Sequence, residues 1–372
     1  LLIMKKPTLL LLCPYKFTEF DWYRYEFSLL EKEYNVEVKI HVMIDFLFPH
    51  FSKVYQDFKT DERISTFNTF KEWKKAFHKI VKEKKSEILV IKNAIHNENL
   101  LSLLVNIEVK KAGVRVIEYG SIPHPEYINV NTKYLYWKFF SFIKNPKTIK
   151  FFLTSKILNF VGDLFKLYPT HVFKAGSKGF KSNFQNKNVK IVEANAFDYS
   201  MYLNSKNKDS NFNEQPYGLF LEAPTPLFDG DNLFIGQKSS ELGTSKIWFP
   251  ALIKFFNELE ILLKFKIKIA PHPKVKHKNF PKYYGGREII NQKLADASKN
   301  AKLLITRESA GLSFASLYDK PAIMINSYEL MKNKIFTRKQ KYQAEELGIK
   351  IMNIDEKLDS KEMLNALKVD KK

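Results

Sequence analysis

Three short stretches of the 372-residue chain combine residue types that could do chemistry. The first runs from Lys268 to Lys274 and sets His272 between Pro271 and Pro273. Each proline fixes its own φ and restricts the residue before it, so the backbone at His272 is aimed rather than free. An imidazole, whose ordinary pKa is about 6.5, can give a proton to a departing phosphate. Lys268 and Lys274 would add positive charge beside it. The plainer reading is a loop histidine that caps backbone, because His-Pro alone is common.

The second stretch is Thr306-Arg307-Glu308-Ser309-Ala310-Gly311-Leu312-Ser313. Its pattern predicts a strand that enters a small-residue turn and then a helix. Backbone amides at that helix start, with the Ser309 hydroxyl, would cradle a phosphate. Ala310 and Ser313 lie on the same turn, and Gly311 would let a ligand approach closely. The plainer reading makes Ser309 an ordinary helix cap. The third stretch is Glu118-Tyr119-Gly120-Ser121, at the predicted end of a strand. A carboxylate there could take a proton from a hydroxyl, or serve as a capping or salt-bridging group. Asp229-Gly230-Asp231 follows Pro224 and Pro226 and reads as a turn; it could still line a cleft.

These stretches need a scaffold. Apolar runs predict strands over 8–13, 36–42, 87–92, 114–118 and 188–193. Helical spacing predicts helices over 20–34, 72–83 and 99–111, the last ended by Gly113. Beyond residue 216, strands are predicted over 217–222, 265–270, 302–306 and 322–326. Helices fall over 246–263 and 292–300, and another opens at 312. Alternating strands and helices mean parallel sheets with crossovers. The expected fold is α/β, with two Rossmann-like lobes, parallel sheets and a ligand cleft between them. Residues 1–203 form the first lobe, 204–215 a polar linker, and 216–372 the second lobe with its C-terminal helices. Three chemical stretches at strand ends fit the edge where open α/β sheets bind ligands. His272 and Ser309, about one βα unit apart, are expected on adjoining strand ends.

Residues 126–185 interrupt the pattern with aromatics and lysines. Helices packed over the first lobe are the favoured expectation; contact with an anionic membrane face is the alternative. The chain carries 61 Lys+Arg against 40 Asp+Glu, a net charge of +21. That favours an anionic partner, although an AT-rich coding bias would produce the same excess. No nucleic-acid-binding signature accompanies the charge, so no nucleic-acid partner is expected. One cysteine, Cys13, excludes a disulfide scaffold and cysteine-based zinc sites. Leu9–Cys13 is too short for a signal-peptide core, and no run approaches the roughly 20 apolar residues of a spanning helix. A cytoplasmic location is expected, extending to the inner face of the cytoplasmic membrane.

On these residues the chain resembles bacterial surface-polysaccharide glycosyltransferases of GT-B fold, notably the sialyltransferase-like families that use CMP-activated acidic sugars. Those families carry an acidic-acidic-Gly motif in the first lobe, and a His-Pro and a Ser/Thr-Ser pair in the second. His272-Pro273 matches the His-Pro motif. Glu118-Tyr119-Gly120 matches the acidic motif at its first and third positions, and Glu308 stands beside Ser309 where the family has Ser or Thr. Lys302–Ile325, including Asp319-Lys320-Pro321-Ala322, is the most family-like stretch.

The resemblance implies roles. Glu118 would activate the acceptor, and Gly120, Ser121, Asp229 and Asp231 would line its cleft. His272 would assist departure of the nucleotide. Lys268, Pro273, Lys274, Glu308, Ser309, Ala310, Gly311 and Ser313 would surround the phosphate. The co-substrate would be a nucleotide-sugar, CMP-linked, with a glycan or glycolipid acceptor and neither a metal nor a resident cofactor. Three other readings stay open: a non-hydrolysing UDP-sugar 2-epimerase, a polyol-phosphate transferase, and a non-catalytic nucleotide- or carbohydrate-binding relative.

Overall fold

The computed structural model describes residues 6–52, 59–84, 87–93, 95–121, 146–175, 188–207, 215–224, 226–227, 244–273, 275, 280–291 and 293–368. Seven strands form one sheet: β1 (Thr8–Cys13), β2 (Glu37–Val42), β3 (Ile64–Thr66), β4 (Ile88–Lys92), β5 (Arg115–Ser121), β6 (His171–Ala175) and β7 (Lys190–Ala194). Five form a second: β8 (Tyr217–Leu221), β9 (Lys266–Ala270), β10 (Leu303–Thr306), β11 (Ala322–Asn326) and β12 (Lys350–Asn353). The strand orders are β3-β2-β1-β4-β5-β6-β7 and β12-β11-β10-β8-β9. Every pairing is parallel.

Parallel sheets are covered on both faces, so their central strands are apolar throughout. β1, TLLLLC, is buried at all six positions. Leu10 and Leu12 face Trp73, Phe77 and Val81 of the helix Phe70–Lys84, and Val105 and Val109 of the helix Leu100–Ala112. Leu9, Leu11 and Cys13 face Phe17, Trp22 and Phe27 on the opposite side. The five-stranded sheet repeats the scheme. Phe220 packs with Phe249, Leu252 and Phe256 of the helix Ser245–Leu263. Leu219 and Leu221 pack with Ala295, Ala297 and Phe314 on the other face.

Local chemistry sets several element ends. Asn99 caps the helix Leu100–Ala112 by accepting from the Ser102 amide at 2.8 Å, and Gly113 closes it with φ 65°, in the left-handed region. The single helix expected over 20–34 is two, Glu19–Arg24 and Phe27–Tyr34. Glu26, with φ 54°, turns the chain between them. Residues 126–185 were expected to pack as helices; they also supply a strand. The helix Pro146–Leu164 is followed by β6, the sixth strand of the sheet, between β5 and β7.

The helix Phe197–Lys206 belongs to both halves. Phe197 packs on Tyr25 and Tyr119 of the first, with ring centroids 5.2 and 4.9 Å apart. Met201 lies in the core of the second with Leu219 and Phe314. The expected linker therefore begins inside this helix.

Candidate active site

In an open α/β sheet, ligands bind beyond the C-terminal strand ends, where the strand order reverses. In the five-stranded sheet that reversal lies between β8 and β10. Glu222 follows β8, Arg307 follows β10, and both are buried. Together with Ala223, Tyr284 and Trp248 they border a cavity of about 10 Å³, roughly the room of one water.

Glu222 is the hub. Its Oε2 accepts the backbone N–H of His272 at 2.8 Å, and its Oε1 accepts the Tyr284 hydroxyl. Burial pushes the Glu222 carboxyl up to about 7, against the downward pull of those two hydrogen bonds and of the Arg307 charge. Burial also raises the Tyr284 hydroxyl, helped by the Glu222 charge, so Tyr284 stays a donor. Arg307 is shielded by aromatic faces: its guanidinium carbon lies 5.4 Å from the Trp248 ring centroid and 5.9 Å from that of Phe336. Burial lowers its pKa from the usual arginine value. The backbone carbonyl of Arg307 accepts from the Gln340 side chain at 3.1 Å.

The sequence-predicted donor residues sort around this hub. His272 and Ser309 do reach the same sheet edge, after β9 and β10. They are not on adjoining strands, because β8 runs between them and Glu222 fills the gap. Ser309 is partly exposed with extended backbone, and its Oγ accepts the Gly311 amide at 3.2 Å. It caps the turn Ala310–Leu312, which leads into the short helix Ser313–Leu317. Gly311 makes room for protein rather than open space: a Cβ there would lie 2.7 Å from Leu294 Cδ2. Ser313 donates to Asp198 at 2.5 Å, and so is joined to the helix Phe197–Lys206. Glu308 pairs with Lys339 at 3.2 Å, which balances an acid beside a candidate phosphate site. Lys268 lies two residues before the end of β9; its Nζ is 3.1 Å from Glu288 and 4.6 Å from the Tyr217 ring centroid. Pro273 and Ala310 are exposed. Lys274, Asp229 and Asp231 lie outside the described residues.

In the seven-stranded sheet Glu118 does not end its strand; β5 continues through Gly120 and Ser121. Glu118 is buried and pairs with Lys92, its neighbour across the β4–β5 ladder, at 3.1 Å. His96 Nδ1 lies 3.9 Å from the other carboxylate oxygen. The order of this sheet reverses between β1 and β4. There Asn93 donates to the Tyr15 hydroxyl, which donates to Asp21 at 3.3 Å. Burial raises the Tyr15 hydroxyl and the neighbouring Cys13 thiol, so both stay protonated.

Sequence reasoning missed Glu222, Arg307, Tyr284 and Lys92. The signal for Glu222 was a carboxylate closing an all-apolar strand, the position a ligand edge would use. Chemically, the edge after β8, β9 and β10 offers a histidine on a clamped loop, a buried guanidinium and a capped serine turn. The histidine could move a proton and the partly exposed serine turn offers hydroxyl and amide groups, while the buried guanidinium borders the one-water cavity.

No protein-family profile matches the sequence, and no curated protein matches it. Among solved structures, UDP-GlcNAc 2-epimerase from Methanocaldococcus jannaschii is similar, at 13% identity over 96% of this chain and 91% of that one, with a TM-score of 0.52. The glycotransferase of kitacinnamycin is similar at 9% identity over 97% and 89%, with a TM-score of 0.47. Phytolacca americana UGT2 is similar at 10% over 94% and 85%, with a TM-score of 0.46. At such identities the likeness speaks for the fold: two Rossmann-like lobes in the GT-B arrangement.

Proposed function

We propose that this chain is a glycosyltransferase that takes a sugar from a nucleotide donor held at the C-terminal edge of the five-stranded sheet. The observation that carries this reading is the clamp at the β8/β10 reversal. Glu222 fixes the His272 loop by its backbone, and Arg307 lies at the same edge. In this reading Glu222 is a positioning residue, while His272 protonates or neutralises the departing phosphate. Ser309 donates its hydroxyl proton to the phosphate while its oxygen accepts the Gly311 amide. Glu118 takes the acceptor proton, set in place by Lys92. The His272-Pro273 match favours a CMP-linked acidic sugar as donor and a surface glycan as acceptor.

A thermal-shift panel of CMP, CDP, UDP, UMP and GDP tests the donor, because a ligand of the native state alone raises the unfolding midpoint. A shift with CMP supports the cytidine donor. A shift with UDP alone leaves the transferase reading standing with another donor, and no shift with any nucleotide removes it. The second reading is a UDP-sugar 2-epimerase, favoured by the backbone likeness at a TM-score of 0.52 to an enzyme of that kind. Conversion of UDP-GlcNAc without any acceptor would select it.

A further inference from the structure

The helix Pro146–Leu164 turns apolar side chains outward. Its inner side is marked by buried Gly162, where a Cβ would meet the Asn97 side-chain nitrogen at 2.1 Å. On the opposite side Leu153, Ile157, Phe160 and Leu164 recur at i, i+4, i+7 and i+11, which is one stripe along an α-helix. These four, with Phe165 in the following turn, are 54–70% exposed. One exposed leucine is ordinary, but a row of four large apolar side chains with a fifth beside its end is not. Lys156 and Lys166, both exposed, flank the row. Among the described residues no helix is long and apolar enough to cross a membrane.

We propose that this stripe docks on an anionic lipid surface, with the helix lying in the plane of the headgroups. Charge selects lipid over a second copy of the chain. Two molecules of net charge +21 repel each other, whereas an anionic bilayer attracts each of them. The shape agrees. A narrow apolar row can sink into the acyl boundary while flanking lysines reach back to the headgroups. The stripe lies on the seven-stranded half, so its role does not depend on how the five-stranded half is read.

The test uses the full chain and vesicles of phosphatidylcholine with or without phosphatidylglycerol. Co-sedimentation is expected with the anionic vesicles only, weakening as salt rises to about 0.15 M. Phe160→Ser with Leu164→Ser should lower that binding by about tenfold or more, at an unchanged unfolding midpoint. Cys13 is the only cysteine and is fully buried, so Ile157→Cys can be labelled selectively with a polarity-sensitive fluorophore. Its emission should shift to the blue when anionic vesicles are added. Three results overturn the proposal. The wild type fails to sediment even at low salt. The double variant binds as well as the wild type, so that charge elsewhere suffices. Or the probe already reports apolar surroundings without lipid, because a second copy or residues 122–145 cover the stripe.

Discussion

The Glu222 carboxylate holds His272 by its main chain, at 2.8 Å, and not by its imidazole. This hold on the loop after β9 does not use the side chain that would do the chemistry.

His272→Ala keeps that main-chain bond, so the fold and nucleotide binding should be retained. Transfer should fall by about 10²–10⁴-fold, the usual worth of a general acid. Steady-state turnover beside a melting curve checks it. Normal turnover would reduce His272 to a loop residue.

Glu118 carries two roles that one substitution confuses. Glu118→Gln removes the proposed base, but it also strands the buried Lys92 ammonium, a change that typically costs about 3–5 kcal/mol. Glu118→Gln with Lys92→Met should recover most of that stability and still transfer at least about a hundredfold more slowly. If the double variant regains transfer, the base lies elsewhere.

Glu222 makes stability depend on pH in a fixed direction. Burial raises its carboxyl from 4.5 to about 7. Between those values the native chain keeps a proton that the unfolded chain has lost, so stability falls as pH rises through that window. The gap corresponds to about 3 kcal/mol. Buried His41, lowered from 6.5 to about 3, acts oppositely: the native chain lacks a proton that the unfolded chain holds, and stability rises with pH. Glu222→Gln removes only the first slope. Relative to that variant, the wild type should lose about 2–3 kcal/mol from pH 5 to pH 8 in denaturant titrations. Parallel curves would show that Glu222 titrates normally.

Gly311 separates packing from ligand approach. Gly311→Ala pushes a methyl against the end of the Leu294 side chain, which can partly rotate away, so the cost should be about 1 kcal/mol. Leu294→Val in the same chain should recover part of it. Nucleotide affinity should stay unchanged in both. A loss of affinity in the double variant would mean that a ligand needs the space.

The central strands were legible because two-sided burial writes a continuous apolar run, as in Thr8–Cys13 and Ala322–Asn326. The strands that were missed lie toward the sheet margins. β3 and β12 are edge strands with partly exposed residues, and β6 hides among aromatics and lysines. The two strand ends bearing His272 and Ser309 were legible, but their spacing was not. Chain order says nothing of the β8 strand that threads between them. Glu222 was illegible as a hub because its partners lie fifty and sixty-two residues downstream. The break at Glu26 had no glycine to announce it.

The helix Phe197–Lys206 makes the halves interdependent. Its first residue sits among Tyr25 and Tyr119, Met201 fills the second core, and Lys299 grips the Ser205 and Lys206 carbonyls at 3.3 and 3.1 Å. A cut before it would leave one half with an empty aromatic socket; a cut after it would leave the other with a hollow core. Each half thus completes its packing with a residue of the same ten-residue helix, so a boundary drawn on either side of it removes a core side chain from one of them.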